Sequence, residues 1–288
     1  MSFETMLSDR FELQGRELFN TGVSNRDIEI LMSKLHRAVK KVVSESSFRF
    51  HLQEKESSFT EIIDDLVTPL TSLETLIDQQ SQEHLQKSIS LIREGKRMIF
   101  VANHISELDP VLFDMWLRKN GHEDISNTMH TVIGKKVRDD ILKRIISKGI
   151  NTAHSYQKKV IDTSLDEEEK QKMNQHNQDM LKKLKEKVND ENIPVWFHPN
   201  GGTEGESISE SWDYQNSLGL LYNIKPEYFT PIYIHGSNKH ATSSDSYIKR
   251  AEPKMFVGDP ELITLNRELV SSMHEKVRNL FLFENIDS

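Results

Sequence analysis

Short apolar runs separated by longer amphipathic ones set the tightest limit on how this chain can fold. Residues 97–102, 131–133, 194–197 and 229–234 are mostly apolar, and each is short enough to read as a buried strand. Helical spacing fills the gaps. Residues 84–94 put Leu85, Ile89 and Ile92 on one face, and Gly95 then ends the helix. Residues 139–148 put Ile141, Leu142, Ile145 and Ile146 on one face, and Gly149 ends that one. Further helices are expected over 109–118, 165–188 and 260–282, and further strands over 150–153 and 254–257. The alternation predicts an α/β fold: a layered, mixed, mostly parallel sheet with flanking helices. Folds of this kind carry their sites at the carboxyl ends of strands.

The first eighty residues follow a different pattern. Helices are expected over 11–19, over 25–43 with Ile28, Leu31, Leu35 and Val39 on one face, and over 59–77, where Pro69 kinks or splits the helix. No strand is expected there. Residues 1–80 therefore read as a small N-terminal helical bundle, and 81–288 as the α/β domain.

Charge and composition narrow the class of function. A net charge of −8 argues against nucleic-acid binding and against wholesale attraction to anionic membranes. There are no cysteines, which excludes disulfides, thiolate nucleophiles and cysteine-bound zinc. The N-terminus lacks the basic-then-apolar pattern of a secretion signal, and no apolar run approaches the roughly 20 residues of a membrane span. The expectation is a soluble, cytoplasmic protein with no transmembrane segment, for which peripheral membrane contact remains compatible.

Chemistry is expected where strands end. After the strand at 97–102 come Asn103-His104-Ile105-Ser106-Glu107-Leu108-Asp109-Pro110. Two readings fit this turn. The Asp109 carboxylate can hold the His104 ring in one tautomer, so that its other nitrogen takes a proton. Alternatively, Asp109 caps a helix that Pro110 begins, and His104 merely bonds to backbone. Three further strand ends carry polar residues: His154 to Lys159, His198 to Gly205, and Thr230-Pro231-Ile232-Tyr233. Gly201-Gly202 suits a close approach of backbone to a ligand, or an ordinary tight turn. Lys158 and Lys159 suit a phosphate, or solvent. Lys135, Lys136, Arg138, Lys143, Arg144 and Lys148 form a local basic concentration that suits an acidic carrier protein or coenzyme A, or else a solvated face balanced by Asp139 and Asp140. There is no nucleophile elbow, zinc-protease helix or glycine-rich nucleotide loop, and the remaining histidines lack metal-ligand spacing, so no metal is expected.

Taken in order, these segments resemble the blocks of the soluble, chloroplast-type glycerol-3-phosphate acyltransferases, within the wider H-x4-D acyltransferase group. Asn103 to Pro110 is similar to the first block, Val137 to Lys159 to the second, Trp196 to Gly202 to the third, and Thr230 to Tyr233 to the fourth. The resemblance covers essentially the whole chain, including a helical domain ahead of an α/β domain.

The resemblance implies acyl transfer from an acyl-carrier-protein or coenzyme A thioester to a small-molecule acceptor, with no further cofactor. It implies that His104 is the general base and Asp109 its orienting partner. By the same resemblance, Lys158, Lys159, Asn200, Gly201, Gly202, Thr203 and Glu204 would line the acceptor site. The family holds its acceptor phosphate with lysine-histidine in the second block and two arginines in the third. Here Lys159 stands, but Val160, Thr203 and Gly205 occupy the other three positions. Neither threonine nor glycine replaces a bidentate guanidinium. The implied acceptor is therefore a phosphate-free hydroxyl or amine, or else a phosphate held by a lysine elsewhere, such as Lys225 or Lys239. A catalytically silent relative that binds acyl chains or acyl-carrier protein is the rival reading.

Overall fold

A computed structural model of the chain describes residues 3–44, 51–134, 140–156, 158–164, 166–199, 214–239 and 247–284. In chain order the elements are α1 (Phe3–Asn20), α2 (Asn25–Ser44), β1 (Leu52–Gln53), α3 (Ser57–Val67), α4 (Gln79–Arg93), β2 (Met98–Ala102), α5 (Asp109–Lys119), α6 (Glu123–Thr128), β3 (His130–Gly134), α7 (Ile141–Lys148), β4 (Thr152–Ser155), α8 (Lys158–Thr163), α9 (Glu167–Asp190), β5 (Val195–Phe197), α10 (Tyr214–Ile224), β6 (Tyr228–His235), β7 (Lys254–Val257), β8 (Glu261–Leu262) and α11 (Leu269–Glu284). Short 3-10 turns occupy Thr68–Leu70 and Ser237–Lys239.

One mixed sheet results, in the order β1-β4-β3-β5-β2-β6-β7, with β8 also on β6. Strands β4, β3, β5, β2 and β6 run parallel, and β1, β7 and β8 close the edges antiparallel. Side chains alternate between the two faces of the sheet. Met98, Phe100 and Ala102 of β2 join Trp196, Ile232 and Ile234 under α2–α5 and α7. Ile99 and Val101 join Val195, Phe197, Phe229 and Tyr233 under α9, α10 and α11. Both faces are therefore apolar and covered, as a parallel sheet requires. Phe100, Phe113 and Trp196 meet ring to ring on the first face, and burying each such side chain stabilises the fold by about 1.5–3 kcal/mol. No helix among the described residues is long and apolar enough to cross a membrane.

The structure corrects several sequence expectations. A strand does occur before residue 80: β1 pairs with β4 through Leu52↔Ala153 and Gln53↔Thr152, too short to show alternation in the sequence. The helix expected over 59–77 ends at Val67. Pro69 has no N–H for the α ladder, and a single 3-10 turn follows. The strand expected over 150–153 sits two residues later, because Asn151 serves as a linker. Its side chain donates to the Asn127 and Met129 carbonyls and accepts the Lys55 amide. The helix expected over 260–282 begins only at Leu269. Strand β7 covers just Ile232 to His235 of β6, and β8 pairs with the remaining Tyr228 and Phe229. Helices α6, α8 and α10 are additions that the periodicity did not reveal.

Candidate active site

Two strands of the parallel block flank β2, with β5 on one side and β6 on the other. The carboxyl end of β2 therefore meets residues about a hundred positions away. Asn103 holds this end in place. Its side-chain amide donates to the Ile234 carbonyl (2.9 Å), and its oxygen accepts the Ile234 amide (2.7 Å), extending the β2–β6 pairing by one side chain.

His104 follows, and its Nδ1 lies 3.2 Å from Asp109 Oδ2. The same oxygen accepts the backbone amides of Ile105 and Ser106, each at 2.9 Å. The Ser237 hydroxyl donates to the other oxygen, Oδ1. Asp109 and Ser237 are fully buried, and the His104 side chain is 15% exposed. Three N–H groups and one O–H therefore converge on one carboxylate. With the carboxylate accepting from Nδ1–H, the neutral His104 ring carries its lone pair on Nε2.

These bonds bear on the helix-cap reading of Asp109. It is not the helix cap. Leu108 occupies that position, Asp109 is the first helical residue, and its carboxylate turns back to amides that precede it rather than forward into α5.

Ser237 reaches Asp109 because β6 ends at His235 and Gly236 turns the chain with φ of +74°, a left-handed conformation that a side chain would strain. The fourth strand end was expected at Thr230 to Tyr233. Those residues instead lie inside β6, where buried Thr230 shares a hydrogen bond with Ser88 (2.8 Å), and the true end carries His235, Gly236 and Ser237. Ser237 offered no sequence signal, since nothing local ties it to residue 109.

His198 was legible only as one polar residue at a strand end. It is buried, and its ring stacks on His104 with centroids 4.2 Å apart and planes 25° apart. The Trp196 indole N–H donates to its Nε2 (2.8 Å), so its proton sits on Nδ1, 3.2 Å from the Ala102 carbonyl. Burial, reinforced by the neighbouring His104, lowers the His198 pKa to about 3.

A consequence for stability follows from the sign of that shift. Below the ordinary histidine value of 6.5, the unfolded chain binds a proton at residue 198 that the folded chain refuses, so stability falls as pH falls from 6.5 towards 3. Denaturant unfolding at pH 7 and pH 5 should differ by about 2 kcal/mol on account of His198. Buried His130, also lowered by desolvation, acts in the same direction. His198→Phe should flatten the profile by one histidine's share, and an unchanged profile would contradict the assignment.

His104, Asp109 and His198 offer ligand atoms within 4.8 Å of one another, close enough for a metal ion. The chemistry of the donors is unsuitable. His198 already accepts the indole proton on one nitrogen and donates from the other, and the Asp109 oxygens are ringed by N–H and O–H donors. A cation would have to break this network.

The other expected site residues divide into two groups. Lys158 and Lys159 open α8 just beyond the carboxyl end of β4, on the same edge of the sheet as His104. Asn200, Gly201, Gly202, Thr203 and Glu204 lie outside the described residues. His154 proves to be inside β4 and buried, its Nε2 2.9 Å from the Thr152 hydroxyl oxygen, rather than at the strand's end. In the basic concentration, Lys135, Lys136 and Arg138 lie outside the described residues. The other three bind within the chain: Lys143 to Glu107 (2.7 Å), Arg144 to the Val42 carbonyl (2.6 Å) and buried Lys148 to Glu56 (2.7 Å). Asp140, expected to balance a solvated face, caps α7 and pairs with Arg10.

A family model described as Acyltransferase matches residues 77–232, more than half of the chain, including β2, β5 and the His104–Asp109 loop. Among solved structures, the chain is similar to the 1-acyl-sn-glycerophosphate (LPA) acyltransferase from Thermotoga maritima at 13% identity, with a TM-score of 0.47 and coverage of 94% of this chain and 88% of that one. No curated protein matches.

Proposed function

Since the chain belongs to the Acyltransferase family, we propose that it carries an acyl group from a thioester, on acyl-carrier protein or coenzyme A, to the hydroxyl or amine of a small acceptor. The observation that carries this reading is the His104–Asp109 pair, with Nδ1 turned to the carboxylate. His104 Nε2 takes the proton of the acceptor as its oxygen or nitrogen attacks the acyl carbon. The carbon–sulfur bond then breaks, and the same nitrogen returns the proton to the departing thiolate. Asp109 orients the ring and stabilises the imidazolium formed between the two transfers.

The ordered blocks resemble those of chloroplast-type glycerol-3-phosphate acyltransferases, but Val160, Thr203 and Gly205 in place of clamp residues favour a phosphate-free acceptor. One observation supports the phosphorylated acceptor instead. Lys239 ends the 3-10 turn that Ser237 begins, and Ser237 bonds Asp109, so a cation stands near the carboxyl edge of the sheet. Lys225 does not qualify, because it precedes β6 at the opposite edge.

The test is release of free thiol from acyl-carrier-protein and coenzyme A thioesters with glycerol 3-phosphate, then with a panel of alcohols and amines. Turnover confined to phosphate-free acceptors is the expected result. Turnover with glycerol 3-phosphate whose KM rises about 10-fold or more in Lys239→Ala would instead establish a rebuilt clamp. No thiol release with any acceptor would overturn the enzyme reading.

A further inference from the structure

We infer that His198 is a positioning residue for the transfer: a ring fixed by hydrogen bonds at both nitrogens, whose face sets the orientation of the His104 imidazole. The inference rests on the reading of His104 as the base.

The geometry follows from sheet register. Strand β5 pairs with β2 through Phe100↔Trp196 and Val101↔Phe197, so the next residue, His198, comes opposite Ala102. Alternation puts Trp196 and His198 on the same face as Phe100, Ala102 and His104. The Trp196 indole, fully buried, can therefore reach the ring two residues on, and the Ala102 carbonyl receives its other N–H. A ring held at both nitrogens cannot rotate about its last torsion without breaking a buried bond. Its flat face is then a fixed wall at stacking distance from His104.

His104 needs such a wall. The contact with Asp109 holds Nδ1, and proton transfer at Nε2 requires the plane of the ring to be set as well, since tilting of that plane carries Nε2 off the line of transfer. A face-on neighbour sets that plane. The same neighbour must stay uncharged when His104 becomes an imidazolium, since two stacked cations would repel. Burial and the lone pair committed to Trp196 keep it so. Its electron-rich face then lies against the cation. A merely structural histidine would require the two hydrogen bonds but not the stacked face.

Three variants separate these roles. His198→Ala removes the ring, and kcat should fall about 10²-fold while KM for acceptor and thioester changes little, as expected when a reacting group is misplaced rather than a substrate released. His198→Phe restores a flat ring without the hydrogen bonds and should recover kcat to within about tenfold of wild type. His198→Gln supplies an amide for both hydrogen bonds but no ring, and should remain as slow as the alanine variant. In a His104→Ala background, His198→Ala should add no further loss. Active Gln beside inactive Phe, or an unchanged kcat in the alanine variant, would overturn the inference.

Should the variants fail to fold, imidazole nitrogen NMR on the wild-type protein tests the fixed, uncharged ring on which the inference depends. His198 should show a proton on Nδ1 and a bare Nε2 from pH 5 to pH 8, and protonation of both nitrogens in that range would overturn the inference. A His104→Ala protein that retains full turnover would sink the acyl-transfer chemistry itself. Loss in His104→Ala with an intact His198→Ala would sink only the role of His198.

Discussion

Replacing His104 with alanine is expected to cut turnover about 10³-fold, with KM for the thioester little changed. The loss arises because water or a distant side chain must accept the proton of the acceptor, and neither is aligned for it. Folding should survive. His104 provides one of four donors to Asp109, and the Ile105 and Ser106 amides and the Ser237 hydroxyl remain. The comparison to make is thiol release by wild-type and variant protein with the same acceptor, alongside a denaturant melt. A variant that melts like wild type and still turns over at more than a tenth of its rate would remove His104 from the chemistry.

Asp109 should separate charge from scaffolding. In Asp109→Asn, the amide oxygen can keep the place of Oδ2, accepting from His104 and the Ile105 and Ser106 amides. The amide nitrogen then faces Ser237, whose hydroxyl can rotate to accept. The fold and the tautomer of His104 are thus retained, but no negative charge meets the imidazolium. Turnover should fall about 10²–10³-fold with little change in stability. Asp109→Ala should be worse in a different way. It leaves two backbone amides and a hydroxyl without their partner at a fully buried position, which should cost about 2–4 kcal/mol in stability as well as the activity. Thermal or urea unfolding of the two variants, read beside their kcat, checks the division. Equal destabilisation by both substitutions would mean that charge, rather than hydrogen-bond capacity, holds the loop.

The readable parts of this molecule are those in which one stretch of sequence carries its own periodicity. Strand β2, helix α5 and the loop between them could be drawn from residues 97–118 alone, because an apolar run, a polar turn and a proline follow one another directly. The pairing of His104 with Asp109 belongs to that stretch and was legible with it. His198 and Ser237 were not legible as partners. Their proximity is produced by β5 and β6 lying on either side of β2, an order that periodicity does not encode. Strand β1 escaped because two residues show no alternation, and β4 was misplaced because Ile150 is apolar but belongs to the approach to the strand. The basic residues of α7 show the same limit from another side. Their charges were plain in the sequence, but their partners, Glu107, the Val42 carbonyl and Glu56, come from three separate elements.

The bond from Ser237 to Asp109 closes a loop of 128 positions, and that from Asn103 to Ile234 a loop of 131. During synthesis, a ribosome-bound chain would have released His104 and Asp109 long before the segments that lock them in place. Closing such long loops is entropically slow, and the contacts that repay it form only once β6 has docked. Nascent chains ending short of residue 237 should therefore carry the reactive pair in an uncoordinated loop, inert towards thioesters. In refolding, recovery of turnover should trail recovery of helical signal, which makes enzymatic activity a late clock for the assembly of this sheet.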